Sequence, residues 1–482
     1  MIILQFLSPI ALSMIIGILI LLFSKKINYA AVVAISSLGM VLVSVLTCMN
    51  ILNLGKSVTL FYLLDSLPIY MKLDEIGVVF SMIITVIWCA ITIYSYVYLK
   101  NNENINRYFG FYFLVYGILI GSHYSGNIIT FYLFYELLTI CSTPLVLHNQ
   151  TREAKMAGFK YMFYSFCGAY MILFGIFFVN QCGGGLEFFR DSQYIIAAGT
   201  VNKEIFLVAI FVMILGFGVK AGMFPFHAWL WAAHPVAPAP ASAVLSSVIV
   251  KTGVLGIIRV VYYLVGTNIM AGTWVQTTIL IFSMLTIFMG SMLAFREDVL
   301  KKRLAYSTIS QLSYIILGIF LFTEQAFTGS MLHVAAHAMI KCSLFLVAGA
   351  IIFKTDCHRV SELKGIGKKM PITMLAFTIA SLGLIGIPPT GGFISKWYIA
   401  LGALSFENKL IGIVGVIILL ISAMLTAGYL LPISINGFFT GEDDSRVVKR
   451  EAPISMLIPI IVLVVISIII GVVPNFIIDF IR

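Results

Sequence analysis

Apolar runs long enough to cross a lipid bilayer recur along the chain, and they exclude most of the folds open to 482 residues. VVFSMIITVIWCAITIYSYVYL (78–99), SMLIPIIVLVVISIIIGVV (455–473) and the shorter MIIGILILLF (14–23) approach or reach the roughly 18–20 residues that span the hydrocarbon core. In lipid every backbone polar group must be satisfied within the segment, so such runs fold as helices. Charged residues make up 10% of the chain, against about a quarter of a soluble domain, and no segment reads as a separate soluble domain. The sequence predicts an all-α polytopic membrane protein, one transmembrane domain over 1–482.

Dividing the chain at charge clusters and turn residues gives about fourteen spans, centred roughly on residues 12, 39, 86, 115, 137, 169, 214, 252, 283, 313, 341, 386, 420 and 463. The first, 2–23, has no basic region before it, and Ser24-Lys25-Lys26 follows in place of a small-residue cleavage site, so it reads as a retained span. Connections are short except 50–74 and 183–203, where a hairpin or interfacial segment is expected.

The basic residues set the expected topology. Loops after odd-numbered spans hold 19 Lys and Arg and the other side 6, which puts odd-numbered connections in the cytoplasm and both termini outside the cytoplasmic membrane. The net charge of +10 is therefore topology, not a nucleic-acid surface. Five basic residues remain inside spans: Lys220, Lys251, Arg259, Lys341 and Lys396. Of 20 Asp and Glu, only Glu136 sits deep in a span.

An ionised side chain at mid-bilayer is costly and usually serves transport, with a purely structural ion pair as the alternative. Lysine suits proton transfer because burial and a nearby carboxylate act on its charge in opposite senses, so modest changes switch it. Arginine stays protonated, and Arg259 reads as a structural cation. His333 and His337 are four residues apart, and Lys341 is four further on, all along one helical stripe. A stripe with Lys and no nearby acid is a poor metal site. His227 and His234 stand near the end of the seventh span, either lining hydrated space or serving as structural histidines. The seven cysteines form no CxxC pair or metal-ligand pattern, which argues against a cluster or a disulfide framework.

Prolines interrupt two of these spans. Pro225 lacks an N–H and its ring conflicts with the Ala221 carbonyl, so the helix should open within a turn of Lys220. Pro388 and Pro389, with Gly391 and Gly392, break the twelfth span just before Lys396. Open backbone at membrane depth is tolerated only where protein buries it or water reaches it. Two interrupted helices in matching halves point to inverted repeats: five-helix units of spans 4–8 (107–265) and 9–13 (272–432), with spans 1–3 (1–106) before them and a last span (453–476) after.

YELLTICSTPLVLH, GFGVKAGMFPFHAWLWAAHPVAPAPASAVLSSVIVKTGVLGIIRV, HAMIKCSLFLVAGAI and HRVSELKGIGKKMPITMLAFTIASLGLIGIPPTGGFISKW, in this order and spacing, are together highly specific. Over most of the chain they resemble the antiporter-like proton-translocating subunits shared by respiratory complex I, multi-subunit Na+/H+ (Mrp-type, D-like) antiporters and membrane-bound [NiFe] hydrogenases. The resemblance implies fourteen helices, with Glu136 paired to Lys220 and a hydrated relay continuing through Lys251, His337, Lys341 and Lys396. It also implies proton movement coupled to neighbouring membrane subunits. One departure is Trp229-Leu-Trp-Ala-Ala-His234 where relatives commonly read WLPxAH. No NADH, quinone or cluster site is legible, so iron–sulfur or NiFe centres would belong to partner subunits and the chain itself carries no redox chemistry. Two other readings are a stand-alone secondary transporter of a small solute and a non-conducting scaffold subunit. The first lacks an organic-substrate site. Against the second, interhelical polar pairs contribute only about 1 kcal/mol each.

Overall fold

The computed structural model describes residues 2–64, 67–102, 104–182, 185–190, 202–439 and 451–481. Residues 183–184 and 191–201 of the expected 183–203 connection, and the basic residues Arg446, Lys449, Arg450 and Arg482, lie outside them. The helices that frame the site are α1 (Ile2–Leu22), α2 (Tyr29–Met49), α3 (Glu75–Tyr98), α4 (Ile105–His123), α5 (Ile128–Val146), α6 (Arg152–Gln181) and α7 (Lys203–Lys220). They continue with α8 (Ala239–Leu264), α9 (Trp274–Arg296), α10 (Leu300–Phe320), α11 (Glu324–Thr355), α12 (Pro371–Ile385), α13 (Gly391–Ser405), α14 (Lys409–Phe439) and α15 (Ile454–Val472). The expected hairpin in 50–74 is present as β1 (Ser57–Leu64) and β2 (Leu67–Lys72), paired antiparallel.

Among the described residues ten helices are long and apolar enough to cross a membrane, so the chain is a multi-pass membrane protein. The other expected spans are helical but shorter, more polar or interrupted. In α7, Lys203, Glu204 and Lys220 put three charges in 18 residues, and the twelfth span is split into α12 and α13.

The chain divides into two compact units. The first comprises Met1–Cys89, Glu103–Trp229 and Ile249–Ile281. Its α6 and α7 approach closely because Gly168 and Gly216 face each other: a Cβ on Gly168 would lie 2.7 Å from the Gly216 carbonyl oxygen, and one on Gly216 2.5 Å from that of Gly168. Without a hydrophobic force between helices in lipid, such small-residue contacts supply the packing. They fix α7 one turn before Lys220. The second unit comprises Ala90–Asn102, Leu230–Val248 and Phe282–Arg482. In it α11 is buried along most of its length and packs against α10, α12, α13 and α15.

Both interruptions fall where the prolines predict. The α7 helix stops at Lys220 and the chain runs through turns to a 3-10 segment, His227–Trp229. The α12 helix stops at Gly386, whose φ of +95° is open to glycine and strained for other residues, and α13 starts at Gly391. Two π-helical stretches in α8, Leu245–Ile249 and Arg259–Leu264, flank the segment that carries Lys251. Such stretches cluster at functional sites, and apolar periodicity gives no sign of them.

Candidate functional site: buried lysines at interrupted helices

Lys220 is fully buried at the last residue of α7. Its Nζ donates to the Tyr135 carbonyl at 3.2 Å and the Thr139 hydroxyl at 3.0 Å, and lies 3.8 Å from the centroid of the Tyr135 ring. All three contacts come from α5, on either side of Glu136. The expected ion pair with Glu136 is not formed: the carboxylate feels the ammonium electrostatically, but its Oε1 is buried without a hydrogen-bond partner among the described residues. The physical reason is local. Turning toward Tyr135 and Thr139 gives the ammonium two oxygen acceptors and an aromatic face at once.

Lys251 is 1% exposed on α8, two residues before Gly253. A Cβ on Gly253 would lie 2.5 Å from the Phe217 carbonyl oxygen, so the Lys251 helix packs directly on the end of α7. His227, in the turn after the break, stacks on Phe224 at 6.2 Å between centroids.

The second unit has its own file of polar groups. The Lys341 Nζ donates to the Leu304 carbonyl at 2.9 Å and to the Ser307 hydroxyl, both on α10. His337 and His333 stack at 5.8 Å, His333 stacks on Tyr314 at 5.6 Å, and the Lys396 Nζ sits 5.0 Å from the Tyr314 ring centroid. The His333 Nδ1 is 2.9 Å from the Ser395 hydroxyl. Lys396 donates to the carbonyls of Leu384 and Ile385 at 2.6 and 2.8 Å, the groups left open where α12 breaks. Pro388 and Pro389 thus create the acceptors that hold it. His234 is fully buried against Phe345 at 4.7 Å between centroids, with Lys341 and Lys301 as the charges it feels. His227 and His234 stand on separate short helical segments.

Sequence reasoning misses several participants. Tyr135, Thr139, Ser307, Tyr314 and Ser395 are common residue types whose positions carry no signal without the helix pairings. Lys301 and Arg303 read as loop residues in the sequence, but both lie in the first turn of α10. Lys301 is 7% exposed and donates to the Ala237 carbonyl at 2.9 Å, while Arg303 donates to the carbonyls of Glu297 and Tyr429 at 2.6 and 2.8 Å. Arg259 is the structural cation expected, and its partner is Asp74, just before α3: the guanidinium makes two hydrogen bonds to the carboxylate, one at 2.8 Å, flanked by the Phe188 and Tyr263 rings.

A helical membrane protein with interrupted helices, lysines buried at the breaks and neutral oxygens holding them has the architecture of an ion-translocating subunit. The chain belongs to the NADH:quinone oxidoreductase/Mrp antiporter transmembrane family, whose model matches residues 125–426. It is 31% identical over 363 residues to the N subunit of the NADH-quinone oxidoreductase of Desulforudis audaxviator, covering 72% of this chain and 70% of that one. It is 25% identical over 466 residues to the D-type subunit of the Na+/H+ antiporter of Alkalihalophilus pseudofirmus, covering 96% and 92%. Its fold is that of a chain in the membrane-bound sulfane sulfur reductase, an archaeal respiratory membrane complex, with a TM-score of 0.84 at 22% identity over 98% of this chain and 95% of that one.

Proposed function

We propose that this protein is a proton-translocating membrane subunit of a multi-subunit complex, either a redox-driven pump or a Na+/H+ antiporter. Protons move through Glu136, Lys220 and Lys251 in the first unit and His337, Lys341 and Lys396 in the second, supported by His227, His234 and His333 and by the breaks at Pro225, Pro388 and Pro389. The observation that carries this reading is the set of buried lysines whose ammonium groups are held by carbonyl and hydroxyl oxygens. A lysine held this way can give up its proton without leaving an unpaired buried anion.

The similarity to the oxidoreductase and antiporter relatives supports placement beside other membrane subunits, with any redox centre in those partners. The charge bias supports residence in the cytoplasmic membrane, fourteen spans and both termini outside. Antiport of Na+ is then an outcome of the whole complex.

The decisive experiment replaces Lys220 or Glu136 with Ala and measures proton uptake by vesicles containing the intact complex, with assembly followed by co-purification of the partner subunits. Transport should be lost with assembly retained. Wild-type transport in either assembled variant refutes the relay, and saturable solute transport by the purified chain alone would establish a stand-alone transporter instead.

A further inference from the structure

Where α1 ends and α4 begins, a cavity of about 450 Å³ opens in the first unit. Lys25 and Arg107 bring two positive charges to it from different parts of the chain, and no carboxylate is among the described residues that line it. Leu21 and Phe111 supply an apolar wall.

Asn104, also in the lining, is the N-cap residue of α4, and its side chain does not cap that 19-residue helix. The first N–H groups of α4 and the positive end of its dipole are therefore at the cavity. Asn106 ties its two sides together by donating to the carbonyls of Ser24 and Ile27. Arg107 donates one N–H to the His148 carbonyl, while its buried Nε–H has no hydrogen-bond partner among the described residues.

The place of the cavity narrows the ligand. It lies at the ends of two helices of the membrane domain, beside Leu22 and Phe23, which are 72% and 48% exposed. Two cations next to an apolar wall match an anionic group attached to hydrocarbon, and basic pockets at the ends of membrane helices take anionic headgroups. We propose that this cavity binds a phosphate-bearing anion, in the membrane the phosphodiester headgroup of an anionic phospholipid. Lys25 and Arg107 contact the phosphate oxygens, and Leu21 and Phe111 contact the acyl chains.

The test uses the purified complex containing the full chain, reloaded with phosphatidylglycerol or phosphatidylcholine, with bound lipid counted by native mass spectrometry. A parallel arm adds inorganic phosphate. The wild type should retain a phosphatidylglycerol that phosphatidylcholine does not replace, and retention should fall about fivefold in Lys25→Gln and in Arg107→Gln. Lys26→Gln, next to the cavity in sequence but outside its lining, should retain the lipid. Where Arg107→Gln fails to assemble, Lys25→Gln carries the test, because Lys25 makes no hydrogen bond to another described residue. Equal retention in the wild type and Lys25→Gln overturns the proposal. Displacement of the lipid by millimolar phosphate, with loss of that effect in Lys25→Gln, supports the phosphate chemistry and overturns the assignment to lipid.

Discussion

The ammonium of Lys220 donates to the hydroxyl of Thr139 at 3.0 Å, one turn of α5 beyond the carboxylate the sequence assigns to it. Hydrogen bonds to charged groups contribute about 1.5–3 kcal/mol, so removing this one should shift the ammonium toward Glu136 by roughly ten- to a hundredfold. In Thr139→Val we expect an assembled complex with proton transport slowed at least about tenfold. Thr139→Ser keeps the hydroxyl and should restore most of the rate. Unchanged transport in the valine variant would show that Lys220 does not use this contact.

Asp74 and Arg259 make a different kind of pair. Burial pushes the Asp74 carboxyl up, but the charge and hydrogen bonds of Arg259, the Gly77 N–H and Lys72 outweigh it and hold the group below the usual carboxylate range. Removing one partner of a buried pair costs about 3–5 kcal/mol, so Asp74→Asn should lower thermal stability markedly at neutral pH. Because the folded value is depressed, this contribution is present above a pH of about 4 and is lost as the pH falls through the lower folded value. The difference between wild type and Asp74→Asn in thermal melts should therefore be flat from about pH 5 to 8 and shrink below about pH 4. A gap that persists in acid would mean the carboxylate is not the stabilising form.

Lys396 combines two tasks that substitution can separate. Its hydrogen bonds to Leu384 and Ile385 cap the broken α12, and in the proposed relay it would also release a proton. Lys396→Arg keeps the charge and donors but cannot be deprotonated. We expect this variant to assemble and to be inactive in vesicle proton uptake. Lys396→Ala should both lose transport and destabilise the complex. Full activity of the arginine variant would remove Lys396 from the proton path.

The second break also depends on a missing side chain. A Cβ on Gly392 would collide with the Gly383 carbonyl, a backbone atom that cannot swing away. Gly392→Ala should destabilise the fold by at least the roughly 1–3 kcal/mol typical of overpacking, read as a lower yield of folded complex and a lower melting temperature. Gly185→Ala, where no atom lies within 4 Å of the added carbon, serves as the control and should be neutral.

Helix class and the places where α7 and the twelfth span open are legible in the sequence because apolar run length and proline sterics act locally. Lys220, Lys251, Lys341 and Lys396 are legible for a related reason: a charge inside an apolar run is visible without any partner. The partners are not. Thr139 and Tyr135 matter because α5 meets the end of α7, and Ser307 because α10 meets α11, and no property of those residues alone records it. Lys301 escapes notice because a span edge cannot be placed within a turn from hydropathy, and its burial depends on the Ala237 carbonyl reaching it. Asp74 and Arg259 are 185 residues apart in sequence and no pattern links them.

The carbonyls that hold Lys341 and Lys396 have one more consequence. A carbonyl oxygen neither gains nor loses a proton near neutral pH, so it offers the lysine it holds a dipole and no formal negative charge. Two ammonium groups about 10 Å apart repel by roughly 1–2 kcal/mol at an effective dielectric of 20. In the proposed relay, stations of this kind would favour single occupancy: a proton arriving at one would lower the affinity of the next, and charge would advance by displacement and not by filling. A file built on carboxylates would neutralise that repulsion and hold its protons, whereas one built on main-chain carbonyls is suited to the proposed passage.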